Sequence, residues 1–149
     1  KPCLHGAEEY SIGAEKRMEQ LKKLVERGQK YGIRIYLYLN EPRSMPLSFY
    51  DKMPHWGGLD QPEQLTKTNC TTRTGEPLAY LEHAMYEVFR QVPGLGGAFC
   101  ITMSENTTNC HCRLQSRQCP SCSKVPPEKI IADVVTWKKA CTGQPPLPG

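Results

Sequence analysis

Apolar residues recur at helical intervals between residues 13 and 31. Ala14, Met18, Leu21, Val25 and Gly28 stand three or four apart, Leu24 widens the stripe, and charged residues fill the opposite side. This spacing predicts an amphipathic helix, with Gly32 placed to end it. The next segment, Ile33 to Leu39, reads IRIYLYL. A short run of apolar, β-branched and aromatic residues predicts a strand buried on both faces, as in a parallel sheet. A second helix is expected from Pro77, with Glu76 beside the positive end of its dipole. Leu78, Leu81, Met85, Val88 and Phe89 form its apolar stripe, and Pro93-Gly94 ends it. Gly96-Gly97 leads into a second buried strand over Ala98 to Met103. Pro126-Pro127-Glu128 opens a third helix with Ile130, Ile131, Val134 and Val135 on one face. Residues 40 to 75 and 104 to 125 read as irregular, with room for a short helix from Leu47 to Lys52.

A helix between two buried strands predicts a right-handed βαβ unit. The expected fold class is α/β: a partial (β/α)8-type (TIM) barrel unit, parallel strands with flanking helices and a cysteine-rich loop. Its expected extent is residues 1–141, with a zinc-type loop at 104–125 and a Pro-rich, disordered tail at 142–149. A complete barrel needs roughly 250 residues, against 149 here. Two parallel strands cannot bury both faces alone. The chain is therefore expected to be a piece of a longer protein or to complete its sheet with another copy, as a homo-oligomer. No internal repeat extends beyond the strand–helix alternation.

Charge changes this picture little. The formal net charge is +4, with Lys and Arg scattered among Asp and Glu. No basic run is interleaved with aromatics, so nothing points to nucleic acid. No apolar stretch is long enough for a membrane span, and no membrane partner is expected. The opening KPCLHGAEEY has no Met and no signal-peptide pattern, and an upstream segment is expected before it.

Cysteine changes it more. Of eight cysteines, Cys3, Cys70, Cys100 and Cys141 stand apart. Cys110, Cys112, Cys119 and Cys122 crowd into C-H-C-x6-C-P-x-C. Four soft ligands in one short loop suit a structural, tetrahedral zinc ion, and His111 is a substitute for one of the first pair. Disulfides are the alternative, favoured if the protein is secreted; a cytoplasmic location is favoured if the cluster binds zinc. A redox role for Cys119-x-x-Cys122 lacks the strand-to-helix setting of such motifs. Cys100, inside a predicted strand, reads as a buried apolar residue. Asn69-Cys70-Thr71 and Asn106-Thr107-Thr108 fit the N-glycosylation pattern, which is common by chance.

Candidate chemistry lies where the strands end, because α/β barrels carry catalytic residues there. Asn40-Glu41-Pro42-Arg43 follows the first strand and Ser104-Glu105-Asn106 the second. Glu105 and Glu41 are the candidate catalytic pair, since glycosidic cleavage uses one carboxyl to give a proton and another to attack or stabilise charge. Asn40 and Asn106 can bond substrate hydroxyls, and Arg43 can grip a carboxylate. Trp56 and Tyr50 are candidates to stack on a sugar ring, whereas Tyr36 and Tyr38 read as core. Structural roles compete with each of these: Glu41 can cap an amide or pair with Arg43.

The stretches YGIRIYLYLNEPRSMP, PGLGGAFCITMSENTTNC and CPSCSKVPPEKIIADV resemble a group of uncharacterised (β/α)-barrel proteins related to the hexosaminidase-like glycoside hydrolases. The resemblance covers most of residues 13 to 139. In the hexosaminidase-like enzymes a strand and a Gly-Gly motif lead to the catalytic acid. Gly96-Gly97 and Glu105 stand similarly, while Ser104 occupies the place of the Asp in their Asp-Glu pair. Asn40-Glu41-Pro42 also resembles the acid/base motif of another large clan of barrel glycosidases. The resemblance implies a carbohydrate substrate and a glycoside hydrolase-like activity. The alternative is a non-catalytic, zinc-stabilised module that binds a protein or a glycan.

Overall fold

The computed structural model describes residues 8–40, 42–101, 103, 106–112 and 115–142, without the side chains of residues 10, 116 and 135–142. Glu41, Ser104, Glu105 and the Pro-rich tail from residue 143 therefore lie outside the described residues.

Helix α1 (Ala14–Gln29) forms where the apolar stripe predicts it. Gly32 sits just beyond it at φ 69°, a left-handed conformation that glycine adopts without a Cβ penalty. Strand β1 (Tyr36–Asn40) follows. The next elements are β2 (Met45–Pro46), α2 (Leu47–Lys52), β3 (Gly57–Gln61) and β4 (Thr66–Asn69). Helix α3 (Glu76–Gln91), strand β5 (Gly97–Ile101) and helix α4 (Pro127–Thr142) complete the order. No helix among the described residues is long and apolar enough to cross a membrane.

The fold is mixed α/β. Strands β1 and β5 pair in parallel, from Tyr36 opposite Gly97 to Asn40 opposite Ile101, and α3 connects them. Leu37, Leu39, Ala98 and Cys100 pack on Leu78, Leu81 and Met85 of α3 and on Val134 of α4. Val25 of α1, with Val92 and Leu95, closes the other end of this core. The α4 stripe is narrower than expected: Ile130 and Val134 are buried, but Ile131 is exposed.

The strands differ from expectation in one respect. They are buried on a single face. Tyr36, Tyr38 and Phe99 are 45%, 66% and 61% exposed, and the rings of Tyr36 and Phe99 lie 5.4 Å apart. The physical reason is that the helices form one layer. Successive side chains of a strand point to opposite faces, so alternate residues of each strand face away from that layer. The described strands form two small sheets and no closed barrel.

The segment expected to be irregular after residue 40 holds a second sheet. Strands β2, β4 and β3 lie side by side, both pairings antiparallel. Helix α2 covers Leu47–Lys52, as the sequence allows. The strands escaped the sequence pattern because they are short and rich in Gly, Thr and Asn. Thr66, Thr68 and Asn69 of β4 are buried although polar, and their partners are hydrogen bonds that no hydropathy alternation records. A separate aromatic core of Phe49, Tyr50, Met53 and Trp56 lies beneath this sheet.

Candidate metal centre and strand ends

The loop after β5 folds back onto the small sheet. Asn69 at the end of β4 bridges in parallel to Asn109, and the Asn69 amide donates to the Thr108 carbonyl at 2.8 Å. This places Cys110 beside Cys70, the residue after β4. The Cys119-Pro120-Ser121-Cys122 turn closes from the other side, with the Ser123 amide donating to the Cys119 carbonyl at 2.9 Å.

The result is a cluster of four buried cysteines, Cys70, Cys110, Cys119 and Cys122, whose sulfurs all lie within 4.8 Å of one another and which could hold a metal ion. The Cys70 sulfur is 3.7 Å from that of Cys122 and 3.9 Å from that of Cys119. A tetrahedron of thiolates about 2.3 Å from a central ion has edges of about 3.8 Å. The donor set and its spacing therefore fit a tetrahedral thiolate site. The Thr68 hydroxyl lies 3.2 Å from the Cys110 sulfur, and the Cys122 thiol donates to the Thr72 hydroxyl at 3.3 Å. Hydrogen bonds with Cys110 and Cys122 pull the Cys70 thiol far below the usual range. Cys110 is driven the opposite way by its bonds with Cys122 and Cys70 and by burial. The two shifts are opposite because the thiols share hydrogen bonds. A divalent cation would hold all four sulfurs as thiolates.

One member of the expected ligand set is corrected. Cys112 is fully buried but does not join the four sulfurs; Cys70, distant in sequence, takes that place. Only His111 separates Cys112 from Cys110, a tighter spacing than the two-residue gap of a usual zinc knuckle. The Cys112 amide donates to the Asn109 carbonyl at 3.0 Å, a tight turn. His111 is also buried and outside the cluster. Burial pushes its imidazole pKa down, and neither ring nitrogen has a hydrogen-bond partner among the described residues. Cys100 faces the core of β1, β5, α3 and α4.

The strand-end residues fall into two groups. Asn40 and Asn106 come together at the C-terminal end of the parallel pair, where Asn106 Nδ2 donates to Asn40 Oδ1 at 3.3 Å. Arg43 is exposed, and its carbonyl accepts from Asn69 Nδ2 at 2.5 Å. Glu41 and Glu105 lie outside the described residues. Tyr50 and Trp56, expected to stack on a sugar, are instead core residues. Phe49 packs edge-on against both rings. The Tyr50 phenol, its pKa pushed up by burial, accepts from the Met45 amide at 3.0 Å and lies within bonding distance of Asn69 Oδ1 and the Lys67 carbonyl. The Trp56 indole donates to the Glu76 carboxylate at 2.9 Å. The aromatics of the segment after β1 thus form a core, while the strand tyrosines read as core are the exposed ones.

Asn69 of the first glycosylation pattern is buried with its side-chain nitrogen bonded to backbone, so the folded chain does not present it for modification.

Comparison with protein-family models, with curated proteins and with solved structures found no match.

Proposed function

We propose that this chain is a strand–helix–strand portion of a (β/α)-barrel carbohydrate-active hydrolase, with a structural zinc ion on Cys70, Cys110, Cys119 and Cys122. The observation that carries the reading is the bond between Asn40 and Asn106. Asn40 directly precedes Glu41, and Asn106 directly follows Glu105. Two carboxyl-bearing segments thus leave adjacent parallel strands at the same end, where barrel enzymes carry their catalytic groups. The division of faces agrees with this. Helices cover the Leu37 and Leu39 side, and the Tyr36, Tyr38 and Phe99 side stands where a barrel's interior side chains would be. In this reading Glu105 is the general acid or base and Glu41 the second carboxylate, with Asn40, Asn106 and Arg43 holding substrate.

Turnover of a panel of aryl glycosides by the zinc-loaded chain tests it. Glu105→Gln keeps the shape and removes the titrating proton, so hydrolysis should fall by about 10²–10⁴-fold or more. Glu41→Gln should cost a similar factor. No turnover across the panel by well-folded, metal-loaded protein would remove the enzymatic reading. The thiolate cluster favours a second reading, a non-catalytic zinc-stabilised module, which predicts saturable binding of a protein or glycan without hydrolysis.

A further inference from the structure

We infer that Asn69 is a positioning residue that ties the geometry of the thiolate cluster to the loops leaving β1 and β5. This rests on the strand-end site proposed above. Asn69 is only 2% exposed, and it is the residue before Cys70. Each of its polar groups is engaged. Its amide donates to the Thr108 carbonyl at 2.8 Å. Its carbonyl accepts from the Cys110 thiol at 3.9 Å while that sulfur carries its proton. Its side-chain nitrogen donates to the Arg43 carbonyl at 2.5 Å and reaches the Pro42 carbonyl at 3.5 Å. Its side-chain oxygen lies 3.0 Å from the Tyr50 phenol oxygen and shares that group's one proton with the Lys67 carbonyl at 2.9 Å. The two loops are also joined directly, the Ser44 amide donating to the Thr107 carbonyl at 3.3 Å.

The chemistry requires a carboxamide. The side chain must donate at one end, to backbone carbonyls, and accept at the other, from a phenol. Aspartate has the same shape but would set a carboxylate against two carbonyls. Leucine would leave those carbonyls and the phenol without a partner in a buried site. Because Cys70 and Cys110 flank this clasp, an ion that fixes their sulfurs also fixes the strand carrying Asn69. Losing the ion frees Asn69 and with it the Pro42–Ser44 segment beside Glu41.

Hydrogen exchange read by mass spectrometry, on the full chain with zinc and after chelation, tests the coupling without any substrate. Chelation should speed exchange about tenfold or more in residues 42–46 and 106–109, as well as in 115–125. Asn69→Asp should retain one zinc per chain, yet show fast exchange at 42–46 even when loaded. If Asn69→Asp does not hold zinc, Tyr50→Phe decides, because it keeps the ring in the core and removes only the phenol. The lost hydroxyl also frees the Met45 amide directly, so the readout there is residues 43–44 and 106–109: the variant should hold zinc and still exchange faster at both. Chelation that loosens 115–125 and leaves 42–46 unchanged would overturn the inference, as would wild-type protection in the loaded variant. Failure of the glycoside panel leaves these outcomes untouched, so the two proposals fail separately.

Discussion

Single side chains decide the metal set and one pH response. Cys70 belongs to the cluster and Cys112 does not, although both are buried. Cys70→Ser should therefore bring bound zinc from one per chain towards zero. Cys112→Ser should leave it at one, with a stability loss of about 1–3 kcal/mol from a hydroxyl in a buried site. Metal analysis of the two purified variants checks this, and the opposite ranking would restore the ligand set read from spacing. The Glu76 carboxylate accepts from the Trp56 indole and lies 2.6 Å from His55 Nε2. These two partners hold its carboxyl below the ordinary 4.5. A depressed carboxyl contributes stability that is present above its unfolded pKa and lost as pH falls through the folded one. The effect is small, because Glu76 is exposed and solvent screens it. Indole fluorescence should change with a midpoint below 4.5, and Glu76→Gln should remove that step. A midpoint at or above 4.5 in the parent protein would show that the indole does not hold the carboxylate.

At the scale of elements, the small sheet acts as a platform for the clustered cysteines, and its close approach depends on Gly58 in β3. A Cβ there would overlap the Cys110 sulfur and the Thr68 hydroxyl. Gly58→Ala should still take up one zinc at saturation. Its affinity should fall about tenfold or more, as overpacking costs about 1–3 kcal/mol. Competition with a chromogenic chelator measures this. A lower melting temperature with unchanged affinity would mean that the strand shifts and spares the site. Helices α1, α3 and α4 were legible from their stripes and from the Pro and Gly at their ends. The sheet of β2, β3 and β4 was not, since its buried residues are polar and satisfied by partners distant in sequence.

For the whole molecule, the open question is the β1–β5 sheet. Among the described strands these two pair only with each other, and Tyr36, Tyr38 and Phe99 form an exposed face on the side away from the helices. An aromatic face between two strand edges that no described strand pairs favours association. We propose that, in this chain alone, a second copy covers it. Sedimentation velocity across micromolar concentrations should show a monomer–dimer equilibrium. Tyr38→Lys or Phe99→Lys should weaken it about tenfold or more, since burying one large side chain is worth about 1.5–3 kcal/mol. A compact monomer throughout, unaffected by either substitution, would exclude it. Three helices and two strands were legible in the sequence, because each rests on local periodicity and on end signals a few residues away, and their βαβ order made the strands parallel. The sequence also marked three of the four clustered cysteines. The fourth cysteine of the cluster, the burial of Tyr50 and Trp56, and the exposure of Tyr36 and Tyr38 came from the tertiary fold. Those outcomes depend on which layers cover a strand and which distant loops meet, and spacing along a chain carries neither.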